Sequence, residues 1–216
     1  AGRQLRLGAM VASGASVAWL QQNILKGEQS VEQLSKDAQS VAPGSEGLIF
    51  LPYMMGERSP IWHTNARGVF FGLSLTTTPA MMFRAVLEGT AFALAHNVEI
   101  GKAAGIKIDE IRSIGGGSKS GLWNQIKADV LGMPIAVLED SVGAAVGDAY
   151  LAGMGAGLFK DIRQTLKTNV KIESRFTPDQ KVHAYYQERY ARFRSLYESI
   201  KDEFDKSAPS ASYKVK

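Results

Sequence analysis

The run Gly115-Gly116-Gly117-Ser118-Lys119-Ser120 is the stretch of this sequence whose residue types could do chemistry. It follows an apolar run that reads as a strand and opens one that reads as a helix. Successive backbone N–H groups and a helix N-terminus would therefore face whatever approaches, and phosphate is the natural visitor. The run is not a P-loop, because the glycine-lysine pair and its upstream glycine spacing are missing. No acidic residue stands at the dinucleotide-fold distance in a convincing strand either. On local pattern alone, a tight turn that holds no ligand is an equal reading.

Other candidates have plainer explanations. Arg84 and Glu88 could form an active pair, but at a spacing of four they read as an intrahelical ion pair partly covering the core. Glu57 and Arg58 follow a strand and could face a cleft; a solvated or turn-closing role explains them equally well. His63, His96 and His183 show no metal-ligand spacing, so no metal role is assigned. Tyr185, Tyr186, Tyr190, Phe193 and Tyr197 recur near helical spacing, which is core packing rather than a stacking platform. The small residues from Gly143 to Gly157 imitate membrane-helix packing, yet Asp148 and the shortness of the segment argue for close helix-to-sheet contact.

The elements that must position these residues can be read from periodicity. Ser16 to Leu25 places Val17, Leu20 and Ile24 on one helical face, and Ser30 with Gln33 resembles a capping box opening a helix to about Val41. Leu48 to Leu51, closed by Pro52, and Val69 to Leu73 are short buried strands, with an irregular loop from Tyr53 to Gly68 between them. Pro79 suits the first turn of a core helix running to about Gly105. A strand over Glu110 to Ile114, a helix over Ser118 to Leu131, a strand over Ile135 to Leu138 and a helix over Val142 to Leu158 then alternate. That alternation implies an α/β layer architecture, with the glycine turn at the carboxyl end of a strand, where such sheets bind ligands. A last helix spans Asp179 to Phe204, and the tail from Lys206 is polar. No internal repeat, linker or second-domain boundary is visible.

Composition bounds the function classes. A chain of 216 residues can bury a real core, and 22 glycines exceed the roughly 7% of average usage, so glycine has specific backbone roles here. With 25 Lys+Arg against 21 Asp+Glu, the charge of +4 is too slight and scattered for a nucleic-acid surface. The absence of cysteine excludes disulfides, Cys-rich zinc sites and thiol nucleophiles, and fits a reducing compartment such as the cytoplasm. Ala1 to Leu7 carries two arginines with no apolar run behind them, so it does not read as a signal peptide. With no initiator methionine and a first strong pattern starting at Ser13, the chain reads as a piece of something longer.

The order of several motifs adds a resemblance. Gly68-Val69-Phe70-Phe71-Gly72-Leu73, Arg84-Ala85-Val86-Leu87-Glu88-Gly89, the triple glycine, Gly143-Ala144-Ala145 and Leu151-Ala152-Gly153 together resemble the C-terminal domain of the FGGY carbohydrate kinases over about residues 14 to 200. Leu51-Pro52-Tyr53, Gly56-Glu57-Arg58-Ser59-Pro60 and Asn65-Ala66-Arg67-Gly68 look most like the xylulokinase branch, with gluconate kinases close behind. No single motif is specific; their order is.

The resemblance implies an α/β fold of the actin-like ATPase (ribonuclease H-like) class, a mixed sheet flanked by helices, as the C-terminal half of a two-domain kinase. Residues 1–205 would form that domain, N-terminally truncated, and 206–216 a polar tail. It implies ATP-dependent phosphorylation of a sugar hydroxyl, with xylulose as the substrate and Mg²⁺ accompanying the nucleotide. Gluconate or another sugar, or a non-catalytic nucleotide-binding module of the same fold, is the alternative. The nucleotide would touch Gly72, Gly115, Gly116, Gly117, Ser118, Ser120 and Asn124. Only a residue lacking Cβ lets backbone come that close to a phosphate or ribose. The catalytic Asp, the sugar-binding residues and the first phosphate hairpin would belong to the other domain, leaving this chain alone inactive. ATP or ADP and the sugar are the expected partners, a homodimer is possible, and neither nucleic acid nor membrane is expected. Two positions depart from the family pattern: Met81 stands where a polar residue, commonly His, is expected, and Ser120 where several relatives carry Asn.

Overall fold

The computed structural model describes residues 6–139, 144–159 and 161–207. Helix α1, Gly14–Trp19, passes directly into a π-helical turn over Leu20–Ile24. The wider turn shifts the facing, so Val17 and Leu20 are buried whereas Ile24, expected on the same stripe, is 45% exposed. Helix α2, Val31–Gln39, starts where Ser30 Oγ accepts the Gln33 N–H at 3.2 Å and buries Leu34 and Ala38. The Gln33 side chain donates forward to Asp37 at 2.8 Å, so the sequence pattern supplies half of a capping box.

Strands β1, Ile49–Leu51, and β2, Val69–Phe71, pair antiparallel with Phe50 opposite Phe70. The loop between them is not loose: Glu57 and His63 exchange two backbone hydrogen bonds of 2.9 Å, and His63 Nδ1 lies 2.8 Å from the Tyr197 hydroxyl. Helix α3, Pro79–Ala103, is capped by Thr78 Oγ1, which accepts the Met81 N–H at 3.3 Å. It is buried from Phe83 to Ala93, as an apolar 25-residue helix inside a small domain must be. Among the described residues no helix is long and apolar enough to cross a membrane.

The second sheet is mixed. Strand β3, Ile111–Ser113, runs parallel to β4, Ile135–Leu138, and β5, Ile172–Phe176, pairs antiparallel on the other side of β4. Helix α4, Gly121–Leu131, connects β3 to β4 and packs on α3. Helices α5, Ala144–Gly155, and α6, Ile162–Asn169, lead to β5, and α7, Gln180–Ser207, closes the main core with Tyr186, Phe193 and Tyr197.

Several expectations are corrected. Tyr185 is 42% exposed, because it stands one position off the stripe formed by Tyr186, Tyr190, Phe193 and Tyr197. The helix expected from Ser118 begins only at Gly121, after a 3₁₀ turn over Gly116–Lys119. Among the described residues, the glycines of the small-residue segment do not make the close approach to a strand that was expected of them. A Cβ at Gly153 would strike the Phe159 ring at 2.4 Å, and one at Gly147 or Gly155 would meet nothing within 4 Å. Gly143 and residues 208–216 of the expected tail lie outside the described residues, while Lys206 and Ser207 continue α7. Strand β5 and helix α6 were not expected at all.

Candidate nucleotide site

The chain leaves β3 through Ile114 and enters the glycine turn with Gly115 at φ 78°, ψ −168°. Residues with a Cβ rarely take that φ, which explains glycine there. The Gly115 carbonyl accepts both the Ser118 N–H at 3.1 Å and the Ser118 hydroxyl at 2.7 Å. Asn124, 1% exposed, donates from Nδ2 to the Ser118 carbonyl at 2.7 Å. Ser118 and Asn124 are thus engaged in shaping the turn. Ser120 Oγ caps α4 by accepting the Trp123 N–H at 3.2 Å.

Gly116 and Gly117 are the residues this scaffold presents outward. The first N–H groups of a helical turn have no partner within it, so these amides are the available donors. A Cβ on Gly116 would meet nothing within 4 Å, and its φ is not in the left-handed region; its bareness leaves open space rather than relieving strain. A Cβ on Gly117 would come within 3.0 Å of the Trp123 ring. With Ser120, these two glycines line a cavity of about 550 Å³. Other walls come from α1, the π-helical turn, α2 and α3, including Val17, Gln21, Ser35, Phe83 and Leu87. A largely apolar slot of this size with a few polar groups on its walls has the character of a small-molecule site.

Of the seven expected residues, Gly116, Gly117 and Ser120 line this cavity, and Gly115, Ser118 and Asn124 build the turn behind them. Gly72 lies apart, at the end of β2. Its φ of 94° and the Gly47 carbonyl oxygen, 3.3 Å from where a Cβ would sit, give it a local structural reason. The sequence reading missed Lys127, which also lines the cavity and whose ammonium burial pushes down to about 8. A lysine at i+7 from the cap of α4 was the signal that could have found it. Glu57 is turn-closing: its Oε1 accepts the Val11 and Arg58 N–H groups at 2.9 and 2.7 Å, and burial pushes the carboxyl up. Among the described residues no group of three or more His, Asp or Glu side chains is placed to hold a metal ion.

Residues 5–156 match the FGGY family of carbohydrate kinases, C-terminal domain. A xylulose kinase of Staphylococcus epidermidis is 36% identical over 195 residues, 90% of this chain and 39% of the relative. The crystal structure of xylulose kinase from Rhodospirillum rubrum superposes with a TM-score of 0.81 at 33% identity, covering 92% of this chain and 40% of that one. Gluconate kinase from Lactobacillus acidophilus superposes with a TM-score of 0.82 at 28% identity and the same coverage. The chain therefore spans about two fifths of the length of the proteins it matches. They share the expected actin-like arrangement of a mixed sheet with helices. With its fold and its motif order both matched, the chain belongs to the FGGY family of carbohydrate kinases and carries their C-terminal domain.

Proposed function

We propose that this chain is the nucleotide-binding part of an ATP-dependent kinase that transfers the γ-phosphoryl group to a hydroxyl of xylulose. The observation that carries the reading is the cavity beside Gly116 and Gly117, where backbone amides at a bare turn border an apolar slot of about 550 Å³. The turn offers its amides to the ribose and α-phosphate, the slot takes the base, and Gly115, Ser118 and Asn124 hold the turn in shape. Such an arrangement binds and orients; phosphoryl transfer depends mostly on positioning and charge neutralisation, with an acidic residue accepting the hydroxyl proton. That residue, the sugar site and the ligands of Mg²⁺ are assigned to the remainder of the protein. Gluconate is the second reading for the sugar, favoured by the equally good superposition of a gluconate kinase.

The test is steady-state kinetics of Gly116→Val in the full-length protein, with xylulose and gluconate as alternative acceptors. Since a Cβ at Gly116 meets nothing within 4 Å, the variant should fold, as circular dichroism would verify. Its branched side chain should occupy nucleotide space, raising KM for ATP at least about tenfold with a smaller change in kcat, because the turn grips ground state and transition state alike. An unchanged KM in a folded variant means the turn is purely structural. Turnover of gluconate but not xylulose would move the substrate to the second reading.

A further inference from the structure

Ser120, Trp123, Asn124 and Lys127 stand at i, i+3, i+4 and i+7 on one face of α4. Ser120 lies at the glycine turn, and Lys127 lies about 10 Å further along the helix, two turns away. There a second cavity of about 290 Å³ meets the first, with Ser13, Ile114, Trp123 and Lys127 common to both. Lys127 Nζ donates to Ser113 Oγ and Asn124 Oδ1, each at 3.2 Å, and sits 4.8 Å from the centre of the Trp123 ring. Both partners are neutral, and among the described residues no carboxylate offsets the burial of the ammonium. An ammonium has three N–H bonds, so one is left over. The neighbouring Trp123 indole N–H is buried without an acceptor. This corner therefore holds more donors than acceptors, and what it lacks is an acceptor brought by a ligand.

We propose that Lys127 is a specificity-determining residue of the nucleotide site, donating its third N–H to a ring nitrogen of a purine base seated in the apolar slot. The proposal rests on the nucleotide reading above and adds the group that reads the base. Two observations favour the base over a phosphate. The cavity that Lys127 lines is walled in large part by Val17, Phe83, Leu87 and Ile114, which suit a planar ring better than a solvated anion. The amides suited to phosphate are at the other end, on Gly116 and Gly117. Helices α1, α2 and α3 contribute no titratable side chain to either cavity, and β3 contributes only Arg112, whose Nε lies 3.4 Å from Glu110.

The experiment measures adenosine and ADP affinity by calorimetry on the full-length protein, for the wild type, Lys127→Met and Lys127→Arg, between pH 7 and 9.5. Burial brings the ammonium to about 8, within that window, where adenosine itself does not change charge. Wild-type affinity for adenosine should fall as pH rises through about 8. K127M should bind adenosine and ADP more weakly by one common factor, on the order of tenfold, with the pH slope gone. K127R should recover part of the loss. A flat wild-type adenosine profile overturns the proposal however the variants fold. So does a folded K127M that binds adenosine like the wild type, or one that loses affinity for ADP alone, which would assign the lysine to a phosphate. If the wild type binds neither adenosine nor ADP, the nucleotide reading falls and this proposal with it; if it binds both with a flat profile, this proposal falls alone.

Discussion

Glu88 is 2% exposed, and a carboxylate buried that deeply must have its charge and its lone pairs answered. Glu88 Oε1 accepts from Arg84 Nε at 2.8 Å, from the Tyr186 hydroxyl at 2.7 Å and from the Gly44 N–H at 2.9 Å, while Oε2 accepts from Ser45 Oγ at 2.9 Å. Arg84 also reaches the Ala38 carbonyl at 3.1 Å. One ion pair on α3 thus fastens the end of α2, the turn before β1 and the buried face of α7. The spacing of Arg84 and Glu88 made their pairing legible in the sequence, but not its burial, because the residues that enclose it come from 43 to 98 positions away. Glu88→Ala should cost about 3–5 kcal/mol by urea unfolding, since it strands a buried guanidinium. Arg84→Met combined with Glu88→Ala should recover part of that loss. If the double variant is less stable than the single one by the full cost of Arg84→Met, the pair is not coupled and this account of it fails.

At the scale of elements, the approach of α3 to β1 decides the geometry of the main core. A Cβ built on Gly89 would lie 2.2 Å from the Phe50 carbonyl oxygen, a backbone atom that cannot swing away. Gly89→Ala should therefore destabilise by at least about 1–3 kcal/mol although alanine favours helix, and urea unfolding of the variant checks it. A neutral or stabilised variant would show that α3 and β1 shift apart freely. The glycine itself was legible as a motif position; its reason was not, because the strand it touches lies about 40 residues earlier. The same limit explains the missed elements. Strand β5 alternates half-buried Ile172, Ser174 and Phe176 with exposed Glu173 and Arg175, a period-two signal that two charges and a serine obscure. Helix α6 is short and mostly polar, so nothing set it apart from a loop. By contrast α3, α4 and β4 were readable because their apolar runs are long or continuous, and so was the glycine turn between β3 and α4. Lys127 was passed over because a single lysine on a helix is ordinarily solvated, and only the packing of Trp123, Ser113 and Asn124 makes it otherwise.

At the scale of the whole molecule, two surfaces are left without cover among the described residues. Strand β3 pairs only with β4, so its other edge presents backbone donors and acceptors, and Ile114 beside it is 55% exposed. Helix α5 carries Leu151 and Met154 on its last turns, and Leu158 follows just beyond its end, all three exposed. An open edge and an apolar helix are the features through which chains associate. These surfaces belong to a chain that spans about two fifths of the length of its relatives, and a longer protein has the residues to cover them. The 216-residue chain studied by itself should therefore self-associate, its mean mass in sedimentation equilibrium rising with concentration, while the full-length protein should not show association through these surfaces. Leu151→Glu with Leu158→Glu should lower that tendency through the helix, and Ile114→Lys should lower it at the strand edge without altering the circular dichroism spectrum. A chain that stays monomeric at high concentration, or one whose association all three charges leave untouched, would mean that neither surface is adhesive.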